Sequence, residues 1–173
     1  MSGRRLPGEV LRLAMWSGPR NVSTALMRSW GNRDDTLVVD EPFYAHYLDY
    51  TGLDHPGRDE VLAAHERDWR RVVTALLAPV PEGVEILYQK QMSHHLLPHM
   101  GREWLASMTH AFLIRDPAPM LASLEEKLGR FDIDATGNFG PLKVKGLKHY
   151  ELAVIRPPAN GAQETVHHLY FET

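Results

Sequence analysis

The chain of 173 residues contains 43% hydrophobic and 24% charged residues, with a formal net charge of −3 and no cysteine. This length and composition are ordinary for a globular protein with a sizeable core, and we expect residues 1–173 to form a single domain. The net charge argues against a general nucleic-acid binder or a membrane-surface binder. The absence of cysteine excludes disulfides, thiolate catalysis and cysteine-based zinc sites.

The first ten residues, MSGRRLPGEV, include two arginines, but no apolar stretch of signal-peptide length follows them. No segment approaches the roughly 20 consecutive apolar residues of a membrane span. We therefore expect a cytoplasmic protein with no membrane partner.

Residues 11–31 form the first informative stretch. Leu11 to Trp16 is short and mostly apolar, which predicts a buried strand, and Ser17-Gly18-Pro19 ends it. Good helix formers begin at Ser23, and Gly31 is placed to end the helix. A strand, a tight loop and a helix start leave backbone N–H groups that attract phosphate. The candidate binding residues are Gly18, Pro19, Arg20, Asn21, Val22, Ser23 and Thr24.

An ordinary strand–helix turn is the alternative interpretation of this stretch. In that interpretation Ser23 only caps the helix. The strict Walker pattern, with Gly-Lys-Ser/Thr, is absent from the loop. The stretch alone therefore leaves both interpretations open.

A second buried strand is predicted from Asp35 to Asp40, and Glu41-Pro42 ends it. Glu41 then falls at the carboxyl end of a strand, the edge at which open α/β sheets bind ligands. The aromatic-rich segment from Phe43 to Tyr50 predicts a packed short helix, with a substrate-binding wall as the alternative. Apolar residues at helical spacing predict a long helix from Asp59 to about Ala78.

A third strand is predicted from Val84 to Tyr88, with Lys90, His94 and His95 just past its end. Two adjacent histidines cannot share one helical face, and a proline separates His95 from His99. We therefore predict no metal site among these histidines.

The second informative stretch follows a helix predicted at Gly101–Met108 and a strand predicted at Thr109–Ile114. Arg115 lies at the end of that strand, where its guanidinium suits bidentate contact with a phosphate. The next helix has Asp116 as its predicted N-cap, Pro117 at its first position and Gly129 as its stop; Ser123, in its middle, has no obvious structural task. The alternative makes Arg115 a salt-bridge partner of Asp116 or Glu41.

Beyond Gly129 the pattern is weaker, with a last strand predicted at Leu152–Ile155 before a polar tail. The order of strands and helices predicts an α/β three-layer sandwich with a largely parallel central sheet. We expect its core at about residues 11–129 and a divergent C-terminal segment at residues 130–173.

Together the two stretches resemble the sulfotransferases that use 3′-phosphoadenosine 5′-phosphosulfate, over about residues 11–129. In that family the 5′-phosphosulfate loop reads Pro-Lys/Arg-Ser-Gly-Thr/Ser-Thr/Ser. Pro19, Arg20, Ser23 and Thr24 match this loop, and Asn21 and Val22 replace its Ser-Gly. The family's 3′-phosphate motif is an arginine at a strand end with a serine eight residues later, as in Arg115 and Ser123.

The resemblance implies a P-loop-like sulfotransferase fold. It also implies transfer of a sulfuryl group to a hydroxyl or amine of a small-molecule or carbohydrate acceptor, without a metal. Arg20 would stabilise charge on the departing phosphate, while Arg115 and Ser123 would hold the 3′-phosphate. Glu41 is the first choice as general base, and His94 or His95 the second. The identity of the acceptor and the oligomeric state, including a homo-oligomer, are left open.

Two other functions compete with this one. A P-loop kinase-like nucleotide phosphotransferase would need a lysine directly before the loop serine, whereas Arg20 lies three residues before Ser23. A catalytically degenerate nucleotide-binding protein is favoured by the Asn21-Val22 replacement and by the divergent C-terminal segment.

Overall fold

The computed structural model describes residues 9–115, 117–128, 150–156 and 165–171. In these ranges the strands are β1 Leu11–Ser17, β2 Thr36–Asp40, β3 Ile86–Met92, β4 Thr109–Ile114, β5 Tyr150–Arg156 and β6 Thr165–Phe171. The α-helices are α1 Ser23–Gly31, α2 Tyr44–Thr51, α3 Arg58–Ala64, α4 Trp69–Leu77 and α5 Pro117–Leu128. Two short 3-10 helices cover Ser93–His95 and Glu103–Ser107.

The strands form one sheet in the order β2-β3-β1-β4-β5-β6. The first four are parallel, and β1 lies between β3 and β4, with Leu13 opposite both Tyr88 and Thr109. β5 and β6 continue the sheet in antiparallel pairing. The predicted α/β class with a largely parallel central sheet is therefore confirmed.

Helices cover both faces of the parallel strands. Because alternate residues of a strand point to opposite faces, β1 contributes to two cores. One core contains Ala14, Trp16, Phe43, Val72, Leu76, Met100, Trp104 and Met108. The other contains Leu13, Met15, Met27, Ile86, Tyr88, Ala111 and Leu113. Helix α4 thus packs on one face and α1 on the other, which gives the three layers.

The predicted helix from Asp59 to about Ala78 is wrong in its continuity, because the chain forms two helices there. His65 follows α3 in an extended conformation. The carboxylate of Asp68 then accepts a hydrogen bond from the Arg70 backbone N–H at 2.9 Å and starts α4 as its N-cap. This capping bond stabilises a second helix start inside the charged run.

The predicted end of β3 at Tyr88 is also wrong, since the strand continues to Met92. Lys90 lies inside the strand, where it is buried together with Gln89 and Gln91. Burial of these residues is offset in part by pairing, since Lys90 forms ion pairs and Gln91 donates to Gln89 at 3.0 Å.

Two further segments differ from expectation. The helix predicted at Gly101–Met108 is a 3-10 helix at Glu103–Ser107, and the polar tail contains a strand, β6. The last predicted strand falls within β5. Asp116 and Gly129, the predicted cap and stop of α5, lie outside the described residues. None of the helices in the described ranges combines the length and apolar character needed to cross a membrane.

Arg12 of β1 connects the sheet to the end of α4. Its guanidinium donates to the backbone carbonyls of Leu76, Leu77 and Ala78 at 3.2, 3.1 and 2.8 Å. The last carbonyls of a helix have no partner within the helix, and a cation there is favourable.

We expect Arg12→Met to lower the free energy of unfolding by about 1–3 kcal/mol, because several charge-assisted hydrogen bonds are lost. Urea denaturation measures this loss. The exposed Arg28 of α1 supplies the control variant Arg28→Met, for which we expect a change within about 0.5 kcal/mol. Equal losses in the two variants would contradict a capping role for Arg12.

Candidate active site

The candidate site residues lie at the carboxyl edge of the parallel sheet. The loop at residues 18–22 follows β1, Glu41 follows β2, the 3-10 helix with His94 and His95 follows β3, and Arg115 follows β4. Because parallel strands end at a common edge, four separate chain segments meet there. This is the edge at which open α/β sheets bind ligands.

The loop after β1 takes its shape from Arg20, whose φ of 60° lies in the left-handed region. Val22, at φ −79°, is the N-cap of α1 and makes no side-chain capping bond. Ser23 is the first helical residue and is buried. The interpretation of Ser23 as the helix cap is therefore wrong. The N–H groups of the first turn have no intrahelical partner and form a site suited to an anion.

Asn21 ties this loop to the sheet. Its Nδ2 atom donates to the carbonyls of Gly18 at 3.2 Å and Leu113 at 3.3 Å. Val22, its neighbour, is 45% exposed and needs no left-handed backbone. The loop thus closes without a glycine at position 22, because Arg20 supplies the left-handed residue and Asn21 anchors the turn.

Arg115 and Ser123, from the second informative stretch, contact the loop at Arg20. The Nε atom of Arg20 donates to the Ser123 hydroxyl at 2.9 Å, and Arg115 donates to the Arg20 carbonyl at 2.7 Å. The structure therefore brings Arg20 together with two residues that follow it by 95 and 103 positions in the sequence. The alternative interpretation pairs Arg115 with Asp116 or Glu41. In the structure Glu41 pairs with Lys90, and Asp116 lies outside the described residues.

Glu41 directly follows β2 and also has a left-handed backbone, with φ of 42°. Its Oε1 atom lies 2.5 Å from Lys90 Nζ, and Asp40 Oδ1 lies 2.9 Å from the same nitrogen. Burial lowers the pKa of Lys90, but hydrogen bonds to the two carboxylates and their charges outweigh it and raise that pKa. A cleft of about 380 Å³ adjoins these carboxylates. It is lined by Asp40, Glu41, Pro42, Tyr44, Ala45, Val61 and His65.

The sequence assigns no role to Lys90, because the strand that it predicts ends at Tyr88. The sequence nevertheless contains a signal that Lys90 is buried and paired. Ile86, Tyr88, Lys90 and Met92 alternate along β3, so Lys90 shares the face that Ile86 and Tyr88 pack into the core. A lysine on such a face is almost never buried unless it is paired.

His94 and His95 follow β3, as predicted, and belong to the 3-10 helix Ser93–His95. The ring of His95 is buried and contacts Tyr44 and Tyr47 of α2, with centroid distances of 5.0 and 4.8 Å. Burial lowers the pKa of His94 to about 4, and burial followed by nearby positive charge lowers that of His95. The Nδ1 atoms of both histidines are buried and have no hydrogen-bond partner among the described residues. The predicted short helix at residues 43–50 is confirmed, and its tyrosines pack on the histidines.

No group of three or more His, Asp or Glu side chains suited to a metal ion occurs within the part of the chain that the structure describes. His99 contacts His46, with 3.0 Å between their Nε2 atoms. His94 and His95 point to protein aromatic rings, with T-shaped contact between Tyr47 and His94.

Comparison with known proteins links this chain to one family. A family model described as a sulfotransferase domain matches residues 11–137. Two curated relatives from Arabidopsis thaliana are branched-chain-amino-acid aminotransferase-like protein 2 and protein 1, which are 39% and 40% identical over 111 residues. The matched part is 64% of this chain and 20% of each relative, so the chain spans about a fifth of their length. No solved structure matches significantly.

The burial of His94 generates a pH dependence of stability. Its folded pKa of about 4 lies below the ordinary 6.5, so the unfolded chain binds the proton more readily between these values. Stability is then present above pH 6.5 and is lost as the pH falls toward 4.

We expect the free energy of unfolding to fall by about 2 kcal/mol between pH 7 and pH 5 from His94 alone. Urea denaturation at the two pH values measures it, and His94→Gln should remove this part of the loss. His65, which is exposed, gives the control His65→Gln. A wild-type pH dependence in His94→Gln would contradict the argument.

Proposed function

The chain belongs to the sulfotransferase family, a family of transferases, and from that premise we propose that it moves a sulfuryl group from 3′-phosphoadenosine 5′-phosphosulfate to a hydroxyl or amine. The observation that carries this proposal is the meeting of Arg20, Arg115 and Ser123 through two hydrogen bonds of 2.9 and 2.7 Å. These residues belong to the two stretches that resemble the donor-binding motifs. We further propose that residues 1–173 act as one domain.

The residues of the loop fit a phosphorylated donor. Within the described ranges no side-chain cap is present at the start of α1, so its first N–H groups suit an anion. Two guanidinium groups, of Arg20 and Arg115, lie at the same loop. In the proposed complex the loop N–H groups and the hydroxyls of Ser23 and Thr24 hold the 5′ end. Arg115 and Ser123 hold the 3′-phosphate.

The bound donor would supply a sulfuryl group already joined to a phosphate leaving group. The chain then has little covalent chemistry to do, and positioning and charge stabilisation dominate. Arg20 acts as a fixed cation beside the departing phosphate, because arginine does not give up its proton in proteins. The Nε donor of Arg20 is directed to Ser123, which leaves its other N–H donors for the phosphate.

Glu41 serves as the general base in this proposal and takes the proton of the acceptor hydroxyl or amine. Lys90 Nζ binds Oε1 of Glu41, so the second carboxylate oxygen can accept the proton. The adjoining cleft of about 380 Å³ lies in the size range of small-molecule sites, which supports a small acceptor. His94 and His95 are the second choice, since burial lowers the pKa of both.

The names of the curated relatives support no aminotransferase role here. The match covers only a fifth of each relative, and the family model over residues 11–137 is that of a sulfotransferase domain. A catalytically degenerate binding protein differs from the proposed enzyme in turnover and not in donor binding.

Donor binding is tested by calorimetry with 3′-phosphoadenosine 5′-phosphate. We expect micromolar binding by the wild type and about 10- to 100-fold weaker binding by Arg115→Met, because charge-assisted hydrogen bonds to a phosphate are lost. Arg28→Met is the matched control and should bind as the wild type does. An absence of nucleotide binding by the wild type would overturn the proposal.

Catalysis is tested by turnover with radiolabelled donor across a panel of small hydroxyl and amine acceptors. General-base help is typically worth about 100- to 10,000-fold, so Glu41→Gln should lower kcat by that amount with nucleotide affinity unchanged. His94→Gln and His95→Gln are assayed in parallel. A larger loss in either of these variants than in Glu41→Gln would transfer the base role to that histidine. Nucleotide binding with no turnover on any acceptor would favour the degenerate protein.

A further inference from the structure

The strongest unassigned feature of the molecule is the buried cation next to Glu41. We propose that Lys90 is a positioning residue for sulfuryl transfer, which fixes the backbone and one carboxylate oxygen of Glu41 and leaves the other oxygen to the acceptor. This inference rests on the proposed function of Glu41 as general base.

Lys90 holds Glu41 at two points. The Glu41 backbone N–H donates to the Lys90 carbonyl at 3.0 Å. The Lys90 ammonium in turn donates to Glu41 Oε1 at 2.5 Å. Asp40 pairs with Lys90 in the parallel register of β2 and β3. This register brings Glu41, the next residue, within reach of the Lys90 carbonyl and the Lys90 ammonium. A single residue of β3 therefore determines both the backbone position and the side-chain direction of Glu41.

Glu41 needs these two contacts with Lys90 because its backbone is strained. A φ of 42° is uncommon for a residue with a side chain, and Pro42 follows directly. Strained residues persist only where the surroundings over-determine them, and they cluster at functional sites. Lys90 supplies both a backbone and a side-chain contact to this residue.

The ammonium of Lys90 is buried, and the two carboxylates that it pairs with are more exposed. The side chain of Lys90 is 5% exposed, whereas those of Asp40 and Glu41 are 52% and 27% exposed. One buried ammonium thus faces two carboxylates, which without it would repel each other. The other titratable groups near Glu41 are Tyr44 of α2, whose pKa is raised first by burial and next by the Glu41 charge, and His65 across the cleft.

The test compares kcat, KM and the affinity for 3′-phosphoadenosine 5′-phosphate in the wild type, Lys90→Met and Lys90→Arg. In Lys90→Met kcat should fall about tenfold, because Glu41 loses the contact that directs its carboxylate, while KM and the nucleotide affinity stay within about twofold. Lys90→Arg should recover part of the lost kcat. Lys127→Met, on the exposed surface of α5, is the control and should match the wild type.

A lysine with only a structural role would lower stability without lowering the kcat of the folded protein, so a wild-type kcat in folded Lys90→Met overturns the proposal. If Lys90→Met does not fold, the double variant Asp40→Asn/Lys90→Met replaces it. That variant removes the cation and one carboxylate together. Glu41 then still loses its contact with the Lys90 ammonium, and kcat should fall. A wild-type kcat in the double variant would also overturn the proposal.

A second measurement separates this inference from the proposed function. Carbon-13 NMR of glutamate-labelled protein follows the Glu41 carboxylate directly, with Glu41→Gln identifying its signal. We expect the chemical shift of this carboxylate to change in Lys90→Met, because the carboxylate loses its hydrogen bond from the ammonium. A changed signal in a protein without turnover would support the contact but contradict the base role of Glu41. Turnover with an unchanged signal would contradict the positioning role alone.

Discussion

The hydrogen bonds at Arg20 join the parts of the candidate site that lie farthest apart in the chain. Arg20 follows β1, its carbonyl accepts from Arg115 at the end of β4, and its guanidinium donates to Ser123 of α5. Because Asn21 also binds the carbonyl of Leu113 in β4, the loop is held to one neighbouring strand by both its backbone and a side chain. The two cationic groups therefore keep their relative position only while this loop keeps its turn.

Backbone strain and buried polarity are concentrated at the same edge of the sheet. Among the described residues, the two non-glycine positions with positive φ are Arg20 and Glu41, each directly after or close to the end of a parallel strand. A left-handed backbone costs roughly 1–2 kcal/mol at a residue with a side chain. The neighbouring central strand β3 buries Gln89, Lys90 and Gln91. Both features are expected where function, and not stability, determines which residues are present.

Much of the fold could be predicted from the sequence where local signals agreed. The bounds of β4 and the first residues of α1 and α5 follow from apolar runs and turn residues, and the structure has them at the predicted positions. The division of the predicted long helix follows from the local cap at Asp68, whereas the wrong end of β3 depends on long-range partners. The apolar run of β3 ends at Tyr88, and the polar residues after it, Lys90 among them, belong to the strand because Lys90 pairs with Asp40 and Glu41. The left-handed turn at Arg20 could not be predicted either, since it depends on contacts with residues of β4 and α5.

The position of β1 in the middle of the sheet also has a consequence for how the chain folds. Leu11 pairs with Ile86 and Leu13 pairs with Thr109, so the first strand finds its neighbours only after most of the parallel core has been synthesised. Closing such long loops before any pairing is gained slows folding, whereas local pairings form early. An apolar strand, Leu11–Ser17, therefore gains its pairings later than the local helices of the chain can form. The strand that carries the loop of the candidate site is the first of the described strands along the chain and is expected to be among the last to be enclosed.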